Sequence, residues 1–152
     1  MDKEILLTKE KYAELETELN ELKHVTRKEI AENLEYAKSL GDLSENAEYH
    51  EARDKQADVE DRINHLEQVL KVAKIVSHKK SDVVSLGSEV VVNRDGTKAT
   101  YTIVGSEEAD MSKGKLSVDS PFGAAIMGKK KGEDFSYTTP GGTMTYTIES
   151  VK

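Results

Sequence analysis

A chain of 152 residues has room for one full-sized domain or two small ones. With 5% aromatic residues, no Trp and 34% charged residues, it favours long solvated helices over a single large core. Its net charge of −7 argues against tight independent binding to DNA or RNA, because such affinity comes from cations that release phosphate counterions.

The charge is unevenly placed. Residues 1–78 carry 12 Lys and Arg against 19 Asp and Glu, which is the whole of the −7, while residues 79–152 carry 10 against 10. There is no Cys, so disulfides and thiolate chemistry are excluded. The opening MDKEILLTKEKYAELE has too short an apolar stretch for a signal peptide. No apolar run approaches the length of a membrane span. The expected setting is the cytoplasm, with no membrane partner.

Between residues 8 and 76 there is no Pro, and Gly41 is the one Gly. Apolar residues recur at Tyr12, Leu15, Leu19 and Leu22, and then at Ile30, Leu34 and Ala37. A second series runs through Tyr49, Ala52, Val59, Ile63, Leu66, Leu70 and Ala73, with Gln56 in one seam position. Stripes of this kind bury one narrow helix face against another helix. The eight-residue step from Leu22 to Ile30 departs from strict heptads and predicts a local relaxation of the supercoil. Two arms of nearly equal length joined by a few residues predict an antiparallel coiled-coil hairpin over 1–77, with its tip at 41–46. At ~1.5 Å per residue, each arm reaches roughly 50 Å.

After VSHKKSDVVSLGS, residues 76–88, the period changes to two. Ala99, Tyr101 and Ile103 share one face, as do Met144, Tyr146 and Ile148. SEVVVN, KLSVD and DFSYTT read as further strands, NRDGTK carries the Asp-Gly signal of a tight hairpin, and TPGG is another turn. SPFGAAIMGKKKGE interrupts the strands with a short helix, and Phe122 and Met127 read as core. The expected class is α+β, with the helical hairpin followed by a small antiparallel β domain over 78–152.

The tip sequence GDLSEN admits two readings. Asp42 followed three residues later by Glu45 fits a capping box at the start of the second helix, and Ser44 is an alternative cap. Equally, two carboxylates at the end of a rod suit Mg²⁺, which combines one or two carboxylates with phosphate oxygens and water. On that reading the tip is half a site, completed by another molecule. His24, His50, His65 and His78 show no zinc-ligand spacing. Lys129–Lys131 form a basic loop, suited to phosphate contact or simply solvated.

GDLSENAEYHEAR, residues 41–53, closely resembles the coiled-coil tip of the bacterial Gre transcript-cleavage factor family, G-D-L-x-E-N-A-E-Y-x-x-A-R. YTIVGSEEAD, LSVDSPFGAAIMGKKKGE and the terminal TPGG extend the resemblance over essentially the whole chain. It implies an N-terminal antiparallel coiled coil and an FKBP-like C-terminal domain. In that family the C-terminal domain docks at the rim of the secondary channel of bacterial RNA polymerase. The coiled coil enters the channel, and the polymerase's own cleavage of backtracked RNA is stimulated.

Carried over by resemblance, Asp42 and Glu45 are the tip acids, completing the shell of a Mg²⁺ shared with the polymerase active centre. No cofactor is expected on the chain alone. Asn46, Tyr49 and Arg53 would shape the tip or contact the RNA 3′ end, and Asp119, Ser120 and Pro121 would dock on the polymerase. The chain is expected to be a monomer and not itself an enzyme. The rival readings are a Gre-like inhibitor of the same channel, a prolyl isomerase suggested by the FKBP-like fold alone, and a non-catalytic adaptor.

Overall fold

The computed structural model describes residues 4–152. It divides into two units, Glu10–Ala73 and a second one in which Lys74–Lys152 is joined by the described residues up to Lys9. A division drawn at residue 77 places the first strand with the helices. The contacts place it with the sheet unit instead.

In the helical unit, α1 (Lys9–Glu21) passes through a π-helical turn (Leu22–Thr26) into α2 (Arg27–Ser39), and α3 (Ala47–Val72) returns. The π turn occupies the eight-residue step seen in the sequence. One residue fewer there would move Ile30 and Ala37 to positions 29 and 36, continuing the seven-residue series of Leu15 and Leu22. The wide turn therefore absorbs the one residue that exceeds a heptad, and keeps both halves of the arm facing α3.

Leu15, Ile30, Leu34 and Ala37 are buried on one arm, and Ala52, Ile63, Leu66 and Val69 on the other. At the end of α3 the deeply buried residue is Val69 rather than the expected Leu70, which is half-buried. Both lie within one turn of Leu66, on the same broad face.

Three ion pairs cross between the arms, from before, within and after the π turn. Arg62 grips Glu18 with two hydrogen bonds of 2.7 and 2.9 Å, Arg27 grips Glu60 at 2.9 and 2.7 Å, and Lys23 meets Glu67 at 2.7 Å. All are partly exposed, so their direct contribution to stability is small. Their larger effect is to fix register, as flanking charges do in coiled coils.

In the second unit, β1 (Ile5–Leu7) pairs with β2 (Ala73–Ile75) as a two-stranded ribbon. The main sheet comprises β3 (Glu89–Arg94), β4 (Thr97–Val104), β5 (Lys115–Ser117), β6 (Asp134–Thr139) and β7 (Gly142–Val151), in the order β5-β4-β3-β7-β6. Asp95–Gly96 closes the β3–β4 hairpin as the sequence predicts. Four strands are antiparallel, but β5 runs parallel to β4 and makes the sheet mixed. Parallel pairing needs a crossover to return the chain to the same end. Residues 105–114 supply it in two short 3₁₀ turns.

The helix α4 (Pro121–Ile126) lies over one face and drives Phe122 into the core among Val90, Val92, Ile103, Phe135 and Ile148. Phe122 meets Tyr101, Phe135, Tyr146 and Tyr137 edge-on, with ring centres 5.2, 5.2, 5.4 and 6.0 Å away. Met127, expected in this core, is exposed because α4 ends at Ile126 and the chain turns outward at Gly128.

Candidate functional site at the loop between the helices

The first arm ends at Leu40, whose N–H donates to the Ala37 carbonyl, and the N–H of Gly41 donates to Lys38. Gly41 has φ +108°, a conformation a side chain would strain, and it turns the chain out of the helix. Residues 40–45 are all exposed.

Neither capping residue expected from the sequence caps α3. The cap is Asn46, whose Oδ1 accepts from the N–H of Tyr49 at 3.0 Å, with its backbone extended at φ −85°, ψ 97°. Its Nδ2 donates across the hairpin to the Ala37 carbonyl at 2.6 Å. A single side chain thus satisfies an orphan donor of one helix and a carbonyl near the end of the other. The signal that could have identified it is an Asn directly before the helix-forming run AEYHEAR.

With Asn46 as cap, Asp42 and Glu45 lie outside α3 altogether. Asp42 Oδ1 accepts from both the N–H (3.1 Å) and the hydroxyl (2.8 Å) of Ser44. Its other carboxyl oxygen has no hydrogen-bond partner among the described residues, and nor does the carboxylate of Glu45. Asp42, Glu45 and Glu48 line one open cup with Leu40, Asn46 and Ala47. No group of three or more His, Cys, Asp or Glu among the described residues is arranged to hold a metal ion. The oxygen donors of Asp42 and Glu45 nonetheless fit the hard, partial shell that Mg²⁺ takes from a protein.

Tyr49 is half-buried against Ile30, Leu34 and Ala52, with its ring edge-on to His50. His50 Nε2 stands 3.4 Å from the carbonyl of Ser44. Arg53, one turn further on, is exposed. The structure therefore gathers Asp42, Glu45, Asn46 and Tyr49 at one end of the hairpin.

Asp119, Ser120 and Pro121 lie in the other unit, at the start of α4. Ser120 caps that helix, accepting from the N–H of Gly123 at 3.0 Å and donating to the Ser117 carbonyl at 2.6 Å. Asp119 and Pro121 flank it on the surface.

Among the described residues no helix is long and apolar enough to cross a membrane. Two family models match the chain: "Transcription elongation factor, N-terminal" over residues 5–75, and "Transcription elongation factor, GreA/GreB, C-term" over 79–152. A relative named transcription elongation factor GreA, from Geobacillus kaustophilus, is 46% identical over 155 residues, covering 99% of this chain and 98% of its own. A GreA of Bacillus cereus is 47% identical over 150 residues, covering 96% and 95%. Among solved structures, GreA factor homolog 1 of Thermus thermophilus aligns over 99% of both chains at 27% identity, with a TM-score of 0.47. By the two family models and the GreA relatives, the chain belongs to the GreA/GreB family of transcription elongation factors.

Proposed function

We propose that this chain acts on bacterial RNA polymerase by carrying Asp42 and Glu45 to the polymerase's catalytic centre, where they stimulate the polymerase's own endonucleolytic cleavage of backtracked RNA. The observation that carries this reading is the freedom of those two acids. Helix capping falls to Asn46, so a carboxyl oxygen of Asp42 and the whole carboxylate of Glu45 remain available. Family membership supports the partner.

Each tip residue has a defined task in this reading. Asp42 and Glu45 donate oxygens to a magnesium ion shared with the polymerase. Such an ion, when bound, activates water and offsets charge developing on the phosphate. Ser44 fixes Asp42 by occupying one of its oxygens. Asn46 and Tyr49 hold the loop to the two arms. The guanidinium of Arg53 offers a charge-assisted hydrogen bond to an RNA phosphate. In the other unit, Asp119, Ser120 and Pro121 form the docking loop on the polymerase. The chain supplies ligands to a partner's active site, and the RNA 3′ end meets it only there.

The test is a purified, backtracked elongation complex with labelled RNA. Asp42→Asn combined with Glu45→Gln is expected to reduce RNA shortening to the level without factor, while the variant still displaces wild-type protein from the polymerase. Undiminished shortening with the double variant would sink the reading. Wild-type protein that slows synthesis without shortening RNA would mark it as a channel inhibitor.

A further inference from the structure

Tyr36 is the one Phe or Tyr among the described residues that is exposed, at 62%. It precedes Ala37 by one residue, so it stands about 100° round α2 from the seam that buries Ile30, Leu34 and Ala37. Its main-chain oxygen accepts from the Ser39 hydroxyl, but its ring and phenol have no partner among the described residues. Packing of the hairpin therefore does not account for the ring. With Asn33, Glu48, Glu51, Ala52 and Lys55 it lines an open groove of about 270 Å³, whose walls come from α2 and α3. Glu48 also lines the cup of Asp42 and Glu45, so groove and cup are contiguous. Lys55 lies 3.3 Å from Glu51, and the groove carries two carboxylates against that one ammonium.

We infer that, with RNA at the tip as proposed above, this groove receives one unpaired base of that RNA, and Tyr36 stacks on the face of the base. A groove of net negative charge repels phosphate, so the part of a nucleotide it suits is the uncharged base. Every base has a π face, and stacking on an aromatic side chain tolerates any sequence. Asn33 offers both donors and an acceptor, and Glu48 an acceptor, which match the mixed groups along a base edge. Single-stranded RNA presents those edges because its bases are splayed out. A cationic side chain of the polymerase would also be drawn to Glu48 and to the Tyr36 ring. Such a group only donates, however, and would leave the amide donors of Asn33 facing a cation. Position favours the base as well, since a strand bound at Asp42 and Glu45 meets the groove at Glu48. Tyr36 then sets how the extruded strand lies beyond the two acids.

The test uses full-length protein carrying Asp42→Asn and Glu45→Gln, so that binding is read apart from cleavage. It would be titrated against two elongation complexes of one polymerase, one with the RNA 3′ end in register and one with the end extruded by backtracking. Stacking of one base on an aromatic side chain corresponds to about 5- to 150-fold in affinity. Adding Tyr36→Ala should weaken binding to the backtracked complex by that factor and leave binding to the in-register complex unchanged, which also shows that the hairpin is intact. Tyr36→Phe should bind both complexes as Tyr36 does. With 5-iodouridine in the extruded RNA, a photo-cross-link should map to Tyr36 by mass spectrometry. Equal weakening at both complexes would assign Tyr36 to the polymerase and overturn the inference. So would an Ala variant that binds the backtracked complex undiminished, or cross-links confined to other residues. A wild-type protein that fails to shorten RNA while these binding differences persist would end the catalytic reading and leave the stacking site standing.

Discussion

Asn46 Nδ2 lies 2.6 Å from the Ala37 carbonyl, while Oδ1 of the same side chain receives the N–H of Tyr49. The last turn of α2 and the first turn of α3 are thereby held by one amide, and the loop bearing Asp42 and Glu45 is strung between them. Asn46→Ala removes both bonds. Loss of an N-cap costs ≈ 0.5–2 kcal/mol, and loss of a hydrogen bond about 1 kcal/mol more. Asn46→Asp keeps the cap oxygen and loses the donor. In urea denaturation the Ala variant should therefore be destabilised by about 1.5–3 kcal/mol and the Asp variant by about half as much. Both should lose cleavage stimulation beyond what their stability explains, because the acids are then held less firmly.

The π turn yields a prediction about chain length. Deleting Val25, which is 47% exposed, returns the step between Leu22 and Ile30 to seven residues. The arm can then continue as an α-helix with both apolar stretches still facing α3. Deleting Glu32, on the exposed face of α2, would instead shift Leu34 and Ala37 away from the seam. The first deletion should leave the thermal midpoint within a few degrees of wild type. The second should remove buried apolar contacts worth about 2–5 kcal/mol for each large side chain displaced. Equal damage from the two deletions in a thermal melt would refute this account of the π turn.

Both periodicities were plain in the sequence, since apolar spacing is set by the burial it produces. Leu15, Ile30, Leu34, Ile63 and Leu66 were expected at the seam and are buried there. The position of the irregularity was legible too, but not its form, because a skipped heptad can be met by unwinding or by a wide turn. The cap is ambiguous in the sequence for a different reason. Asp42, Ser44 and Asn46 are all good caps, and only the path of the loop, set at Gly41, decides which of them meets the free N–H groups. The parallel strand β5 was hidden because three residues carry too little pattern to show direction. The bridge of Val83 to Lys130 joins segments far apart in the chain, a separation that local pattern does not span.

The inter-arm ion pairs set an acid limit on the helical unit. The two hydrogen bonds from Arg62 hold Glu18 below its ordinary pKa of 4.5, and Arg27 does the same for Glu60. The hydrogen bonds to Glu60 in turn raise the Arg27 guanidinium above its ordinary value. An acid with a depressed folded pKa contributes its full stabilisation above 4.5 and loses it as pH falls through the folded value. A raised Arg pKa has no effect at neutral or mildly alkaline pH, where the guanidinium is charged in both states. Helical content should therefore be flat from neutral to mildly alkaline pH and become easier to melt below pH 4.5. Glu18→Gln should shrink that acid-side loss, and the difference should fade in high salt because both partners are partly exposed. A melting temperature in the Gln variant with the same acid dependence as wild type would remove this pair as a cause.

Gly123 is where α4 is held against β5. A Cβ built there would lie 2.0 Å from the Ser117 carbonyl oxygen and 2.9 Å from Val118 Cα, both rigid backbone, so Gly123→Ala must push the helix outward. That movement would loosen the Ser120 cap, whose hydroxyl bonds to Gly123 N–H and to the same Ser117 carbonyl. It would also withdraw Phe122 from four aromatic neighbours. Overpacking of this kind costs about 1–3 kcal/mol, against about 3–5 kcal/mol for Phe122→Ala, which empties the core position outright. The two variants separate docking from stability. Gly123→Ala displaces the loop of Asp119, Ser120 and Pro121 directly, so it should weaken competition with wild-type protein for RNA polymerase more than its smaller loss of stability implies. Polymerase binding that instead follows the stability order, with Phe122→Ala the weaker binder, would remove that loop from the docking surface.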